Sequence, residues 1–162
     1  AAPGVFAGNK CFEIISLLNS NFSDYIISAI NPTLNYQTND IEKLPVISFN
    51  NMDLVENLIE ITKIDWDCYE TSFDFNKNPL TTNLMSIATS YKSWLKENSL
   101  AIKKVKKYEE ENNALFINAY GLHNDLAPKV SLERITLTVN SVYRYGSKIS
   151  EEELKKHFQS DT

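Results

Sequence analysis

Glycine is scarce in this chain. There are four in 162 residues and they form no cluster. A cradle of backbone N–H groups for a phosphate needs clustered glycines, so a nucleotide-binding loop of that kind is excluded. Cys11 and Cys68 lie far apart with no Cys or His beside them. That spacing fits reduced thiols, and not a disulfide framework or a zinc site. His123 follows a helical segment and His157 lies on a charged terminal one. No Ser/His/Asp or Cys/His set can be assembled around them. Arginine is limited to Arg134 and Arg144, and the net charge is −5. A protein that grips DNA unaided carries a basic excess. Either this chain does not bind DNA, or it is a piece of something that does. No apolar run reaches the roughly 18 residues of a membrane span. The opening Ala1-Ala2-Pro3-Gly4-Val5 lacks the basic start of a secretory signal.

What remains is an ordinary water-facing composition, 43% hydrophobic and 23% charged, enough for one sizeable core or one core and a small satellite. Residues 10–30 repeat apolar side chains every three or four positions (Phe12, Ile15, Leu18, Phe22, Tyr25 or Ile26, and Ala29), which predicts a helix with Asn9 as N-cap. Pro32 stops it and pushes Asn31 toward extended geometry. A polar stretch follows, then a short turn capped by Asp40 that ends before Pro45. Residues 51–64 predict a second helix with Leu54, Val55, Leu58, Ile59 and Ile61 inward. Trp66, Tyr69, Phe73 and Phe75 read as a segment wrapping the core irregularly. The acidic residues among them, Asp65, Asp67, Glu70 and Asp74, read as solvated positions and not as metal ligands, since no calcium-loop glycine is present.

Residues 82–121 carry the clearest period. Leu84, Ile87, Tyr91, Trp94, Asn98, Ala101, Val105, Tyr108, Asn112, Leu115, Ala119 and Leu122 alternate steps of three and four. That is a heptad-like seam, and it predicts one long, coiled-coil-like helix packed in a bundle along the 51–64 helix. Asn98 and Asn112 interrupt the seam, as register-fixing amides or as residues facing a gap. Gly121 suits the left-handed position that ends the helix. Lys103, Lys104, Lys106 and Lys107 precede Glu109, Glu110 and Glu111, which reads as a solvated flank before it reads as a DNA stripe. Ile135, Leu137 and Val139 alternate with polar residues, predicting a short half-buried strand. Ser150 and Glu153 form a capping box for a last helix, 151–158. The fold class expected is therefore α+β, predominantly α, with a small amount of sheet.

The order of these pieces is informative. Leu18 to Pro45 reads L-N-S-N-F-S-D-Y-I-I-S-A-I-N-P-T-L-N-Y-Q-T-N-D-I-E-K-L-P. Together with Glu109–Asn113, Tyr120-Gly121-Leu122, Ile135–Thr138 and Tyr143-Arg144-Tyr145-Gly146, it resembles the large PglX-like adenine-specific DNA methyltransferases of restriction–methylation and BREX phage defence. The resemblance covers about Asn19 to Thr162. It implies a C-terminal fragment of such an enzyme: residues 1–50 as the end of the DNA target-recognition region, and 51–162 as a helical spacer with a short strand and a terminal helix. The implied setting is the bacterial cytoplasm. The implied partners are double-stranded DNA, through the parent enzyme, and the parent's other domains.

The resemblance also says where chemistry should be missing. The family holds S-adenosylmethionine with a Gly-rich loop after a strand and orients the flipped adenine with an Asn-Pro-Pro-aromatic tetrapeptide. Asn31-Pro32-Thr33-Leu34 lacks the second proline and the aromatic, and follows a helix. No catalytic, cofactor or metal residue is therefore assigned. The candidate DNA-binding residues are Thr33, Asn35, Tyr36, Gln37, Thr38 and Asn39, whose amides and hydroxyls can take base edges or phosphates, and Arg144 between its two tyrosines. The plainer readings are a loop that satisfies its own backbone and strand-end packing at Arg144. The competing function is a stand-alone helical protein–protein interaction module.

Overall fold

The computed structural model describes residues 8–33, 37–49, 52–81 and 86–146. They form six α-helices: α1 (Cys11–Leu18), α2 (Asn21–Ile30), α3 (Thr38–Glu42), α4 (Met52–Asp67), α5 (Ile87–Tyr120) and α6 (Ser141–Tyr145). Short 3₁₀ turns lie at Gly8–Lys10, Pro79–Thr81 and Leu132–Arg134. The chain divides into two compact units. The first is Ala1–Leu58 with Tyr108–Lys129, and the second is Ile59–Lys107 with Val130–Thr162.

The first unit is built on Leu17, Phe22, Ile27, Leu44 and Phe116, all buried. The Phe22 ring stacks on Tyr120 at 4.1 Å and on Phe116 at 5.9 Å, and Phe49 meets Phe116 edge-on at 5.1 Å. Such pairs add about 0.5–1.5 kcal/mol each beyond their buried area.

The single helix expected over 10–30 is two. Ser20 has extended backbone (φ −96°, ψ 151°) and its hydroxyl accepts from Ser23 N, so it is an N-cap in mid-segment. The break leaves N–H groups at the start of α2 without intrahelical partners. Asn113 on α5 supplies one: its Oδ1 accepts from Asn21 N at 2.9 Å, while its Nδ2 donates to Pro128 O. Asn112 locks the end of α1. Ser16 Oγ donates to Asn112 Oδ1 at 2.5 Å, and Asn112 Nδ2 donates to Ser16 O at 2.9 Å. Both asparagines are buried.

α5 is one uninterrupted helix, as its spacing predicts, but its seam is buried only in part. Val105 and Asn112 are inside, Tyr91, Trp94 and Asn98 are half-buried, and Ile87 is 70% exposed. A coiled-coil partner along the whole seam is not seen among the described residues. The helix ends on Gly121 at φ +67°. Leu122 N donates to Ile117 O and Gly121 N to Asn118 O, the paired bonds of a Schellman cap.

Two expectations are corrected. The described residues contain no strand, so they are helical and irregular, not α+β. Ile135 and Leu137 do turn inward, at 0% and 1% exposure, as their alternation requires. Side chains, however, do the work of a neighbouring strand. Asn140 Nδ2 donates to Leu132 O and Ile135 O, and the Asp65 carboxylate accepts from Thr138 N, Thr138 Oγ1 and Val139 N. Asp65 is thus a structural acceptor and not a solvated charge. The aromatic segment does not wrap a core either, because Phe73 is fully exposed and Trp66 half so. The terminal helix expected over 151–158, the start of the long helix at 82–85 and the Asn9 side chain lie outside the described residues.

Replacing Asn112 with Ala removes both of its buried hydrogen bonds to Ser16, and is expected to cost about 2–3 kcal/mol in denaturant unfolding. Asn98→Ala, at a half-exposed position, is expected to cost less than about 1 kcal/mol. A Cβ on Gly121 would meet no atom within 4 Å, so Gly121→Ala isolates the backbone cost of the left-handed turn. A loss of about 1–2 kcal/mol is expected, and less for Gly121→Asn.

Candidate functional site

The loop between α2 and α3 begins where Pro32 ends the helix. Asn31, the C-cap of α2, is the first brace. Its Oδ1 accepts from Thr33 N at 3.0 Å and Thr33 Oγ1 at 2.6 Å, and its Nδ2 donates to Asp40 Oδ2 at 2.8 Å. Asp40 is the second. It is buried in the first turn of α3, and the same Oδ2 accepts from Gln37 N at 3.0 Å. The two side chains tie the entrance of the loop to its exit. Hydrogen bonds from Asn31 and then from the Gln37 backbone, helped by the nearby Lys43 charge, hold the Asp40 carboxyl below the usual carboxylate range.

The exit is fixed to the core. Leu44 is buried beside Phe22 and Phe116, and Tyr120 Oη donates to Pro45 O at 2.7 Å. Partial burial raises the Tyr120 phenol above its ordinary value. Between these anchors Thr33, Gln37, Thr38 and Asn39 are exposed. The structure therefore brings them to the two sides of one brace. Asn35 and Tyr36 lie outside the described residues. Arg144 belongs to the second unit, exposed on α6. The amides and hydroxyls of this loop can donate and accept hydrogen bonds. The Asn31 amide, in the tetrapeptide-like Asn31-Pro32-Thr33-Leu34, is taken up in bracing.

Two chains from bacteria match this one. The adenine-specific methyltransferase BrxX of Escherichia coli O9:H4 (strain HS) is 34% identical over 152 residues, covering 93% of this chain and 12% of that protein. The adenine-specific methyltransferase PglX of Lacticaseibacillus casei (strain Zhang) is 30% identical over 137 residues, covering 76% of this chain and 11% of that protein. The chain belongs to the PglX-like family. It spans about an eighth of the length of the curated relatives it matches. No protein-family model matches it.

Family membership raises the question of S-adenosylmethionine. Among the described residues the glycines with positive φ, Gly8, Gly121 and Gly146, stand alone, and none follows a strand. No group of three His, Cys, Asp or Glu is placed to hold a metal among the described residues. No described helix is long and apolar enough to cross a membrane.

A cleft of about 320 Å³ in the second unit is lined by residues that include Ile61, Ile64, Cys68, Trp94, Asn98 and Ala101. Asn98 thus faces a gap between α4 and α5. Burial, then the carboxylates of Asp65, Asp67 and Glu97, push the Cys68 thiol upward, so it is a poor nucleophile. Sequence reasoning missed Asn31 and Asp40 as a pair. The signals were there, in Asn31-Pro32-Thr33 as a side-chain-closed turn and in the three-residue spacing of Gln37 and Asp40. It also missed Asp65, whose partners are 73 residues away and leave no local trace.

A depressed carboxyl stabilises the fold above its unfolded value, near 4, and loses that contribution as pH falls through the folded value. Asp40→Asn is therefore expected to lower the thermal midpoint most above about pH 4, with the gap to the unaltered chain closing below it. Melting curves from pH 2 to 7 check this; a gap constant across that range would show that the Asp40 charge is not what holds the loop.

Proposed function

We propose that this chain is the recognition-and-positioning part of a larger adenine-specific DNA methyltransferase of phage defence, acting in the bacterial cytoplasm. The observation that carries the reading is the Asn31–Asp40 brace. It ties the two ends of a polar loop together, with Gln37, Thr38 and Asn39 turned to solvent. Amides presented this way can pair bidentately with adenine, and hydroxyls can take phosphates. Pre-organisation matters because a floppy loop gives back its contact energy as ordering entropy. S-adenosylmethionine and the base-orienting residues belong to parts of the parent outside this chain. A net charge of −5 leaves bulk phosphate neutralisation to the parent as well. Arg144 would add a phosphate contact. The stand-alone interaction module explains the acidic balance but gives the braced loop no task.

The test compares the full-length enzyme with its Asn35→Ala, Gln37→Ala, Asn39→Ala triple variant, on target and scrambled duplexes at one salt concentration. Target affinity is expected to fall by about 1–3 kcal/mol for each true base contact, with scrambled binding unchanged. Equal weakening on both duplexes would mean that the loop holds phosphates and reads no sequence. No change on either would reduce the loop to a structural element.

A further inference from the structure

The second unit turns much of its apolar surface outward. Val105, Val130, Ile135 and Leu137 are its buried apolar residues, whereas nine large apolar side chains are exposed among those described. Phe73 is the extreme case, at 102%. Scattered exposed apolar residues are ordinary, but Phe73 is not on a loose segment. Lys63 pairs with both Asp67 (2.7 Å) and Asp74. Ser72 Oγ donates to Asp67 Oδ1 at 2.5 Å and accepts from Asp74 N at 3.1 Å. Backbone bonds from Tyr69, Ser72 and Phe75 to Trp66, Tyr69 and Ser72 close successive turns beneath it. The polar groups on both sides of Phe73 are fastened, and the ring stands in water with half-exposed Trp66 nearby in sequence.

We propose that Phe73 is a docking knob that inserts into an apolar pocket with a basic rim, on a part of the same polypeptide outside residues 1–162. The inference rests on the family reading above. Three observations carry it. The turn that carries the ring is already closed by hydrogen bonds, so its backbone has little further entropy to lose on binding, which is the property of an interface anchor. The segment from Trp66 to Phe75 holds Asp67, Glu70 and Asp74; Lys63 is shared between Asp67 and Asp74, so the local balance stays negative and a complementary pocket carries cations at its edge. The relatives extend for some eight times the matched length, which supplies a partner surface in the same molecule.

The experiment places a benzophenone amino acid at position 73 of the full-length enzyme and maps photo-crosslinks by mass spectrometry, without DNA or S-adenosylmethionine. A crosslink within one polypeptide to a peptide outside residues 1–162 is expected. Crosslinks confined to residues 1–162, to a second copy or to another protein, or no crosslink at all, overturn the proposal. In parallel, Phe73→Ala is expected to speed limited proteolysis of the full-length enzyme roughly tenfold, while leaving the thermal midpoint of the 162-residue chain unchanged. A drop in that midpoint would make Phe73 part of this chain's own fold and also overturn it. Neither readout uses DNA, so a failure of the recognition loop leaves this result standing, and the reverse.

Discussion

Everything in the first unit depends on two adjacent amides of α5. Asn112 closes the end of α1 and Asn113 serves the start of α2, so the break between those helices is satisfied from a residue about 90 positions later. A helix terminus buried without partners would cost several kilocalories per mole in orphaned polar groups. With the amides in place, α2 can leave α1 at its own angle and set Phe22 against Phe116 and Tyr120. The direction of α2 then determines where Pro32 stops the helix and where the polar loop emerges. Asn31 and Asp40 do not aim the loop. They keep it closed once α2 has aimed it.

The same device recurs in place of a sheet. Asp65 gathers the N–H groups of Thr138 and Val139, and Asn140 gathers the carbonyls of Leu132 and Ile135 while accepting from Val142 N at the start of α6. An extended segment with buried Ile135 and Leu137 needs its backbone polar groups paired, and short polar side chains meet that need as well as a ladder does. Such pairings are sparse and specific. Each amide or carboxylate serves two or three backbone groups, so a single substitution disturbs a whole turn.

This explains which parts of the fold were legible in the sequence. The long helix was, because its three-and-four spacing persists through many turns and Gly121 marks its end. The stop at Pro32 and the helix from Met52 were, because proline chemistry and apolar periodicity are local. The α1–α2 break was not: Ser20 is a good cap only if something distant receives the orphaned N–H groups, and apolar spacing across it is continuous. The strand at Ile135 was misread because alternation reports which side chains face inward, not what pairs with the backbone. The candidate loop was legible as a polar stretch between prolines. Its brace was not read, since Asn31 looked like a degenerate catalytic asparagine and Asp40 like a simple cap. The family itself was legible, because it is carried by the order of motifs and needs no tertiary contact.

The charge balance then constrains how the chain can work. A domain of net charge −5 brought near a phosphate backbone meets repulsion that the lysines of α5 do not remove, being followed at once by Glu109, Glu110 and Glu111. Held by a larger cationic body, the same acidity becomes useful. Under the proposed function it would lower non-specific affinity at this surface, leaving neutral amides to contribute where hydrogen-bond geometry is met and little elsewhere. Under the proposed function, recognition by neutral groups, with attraction supplied from outside this chain, would reconcile the composition with the family.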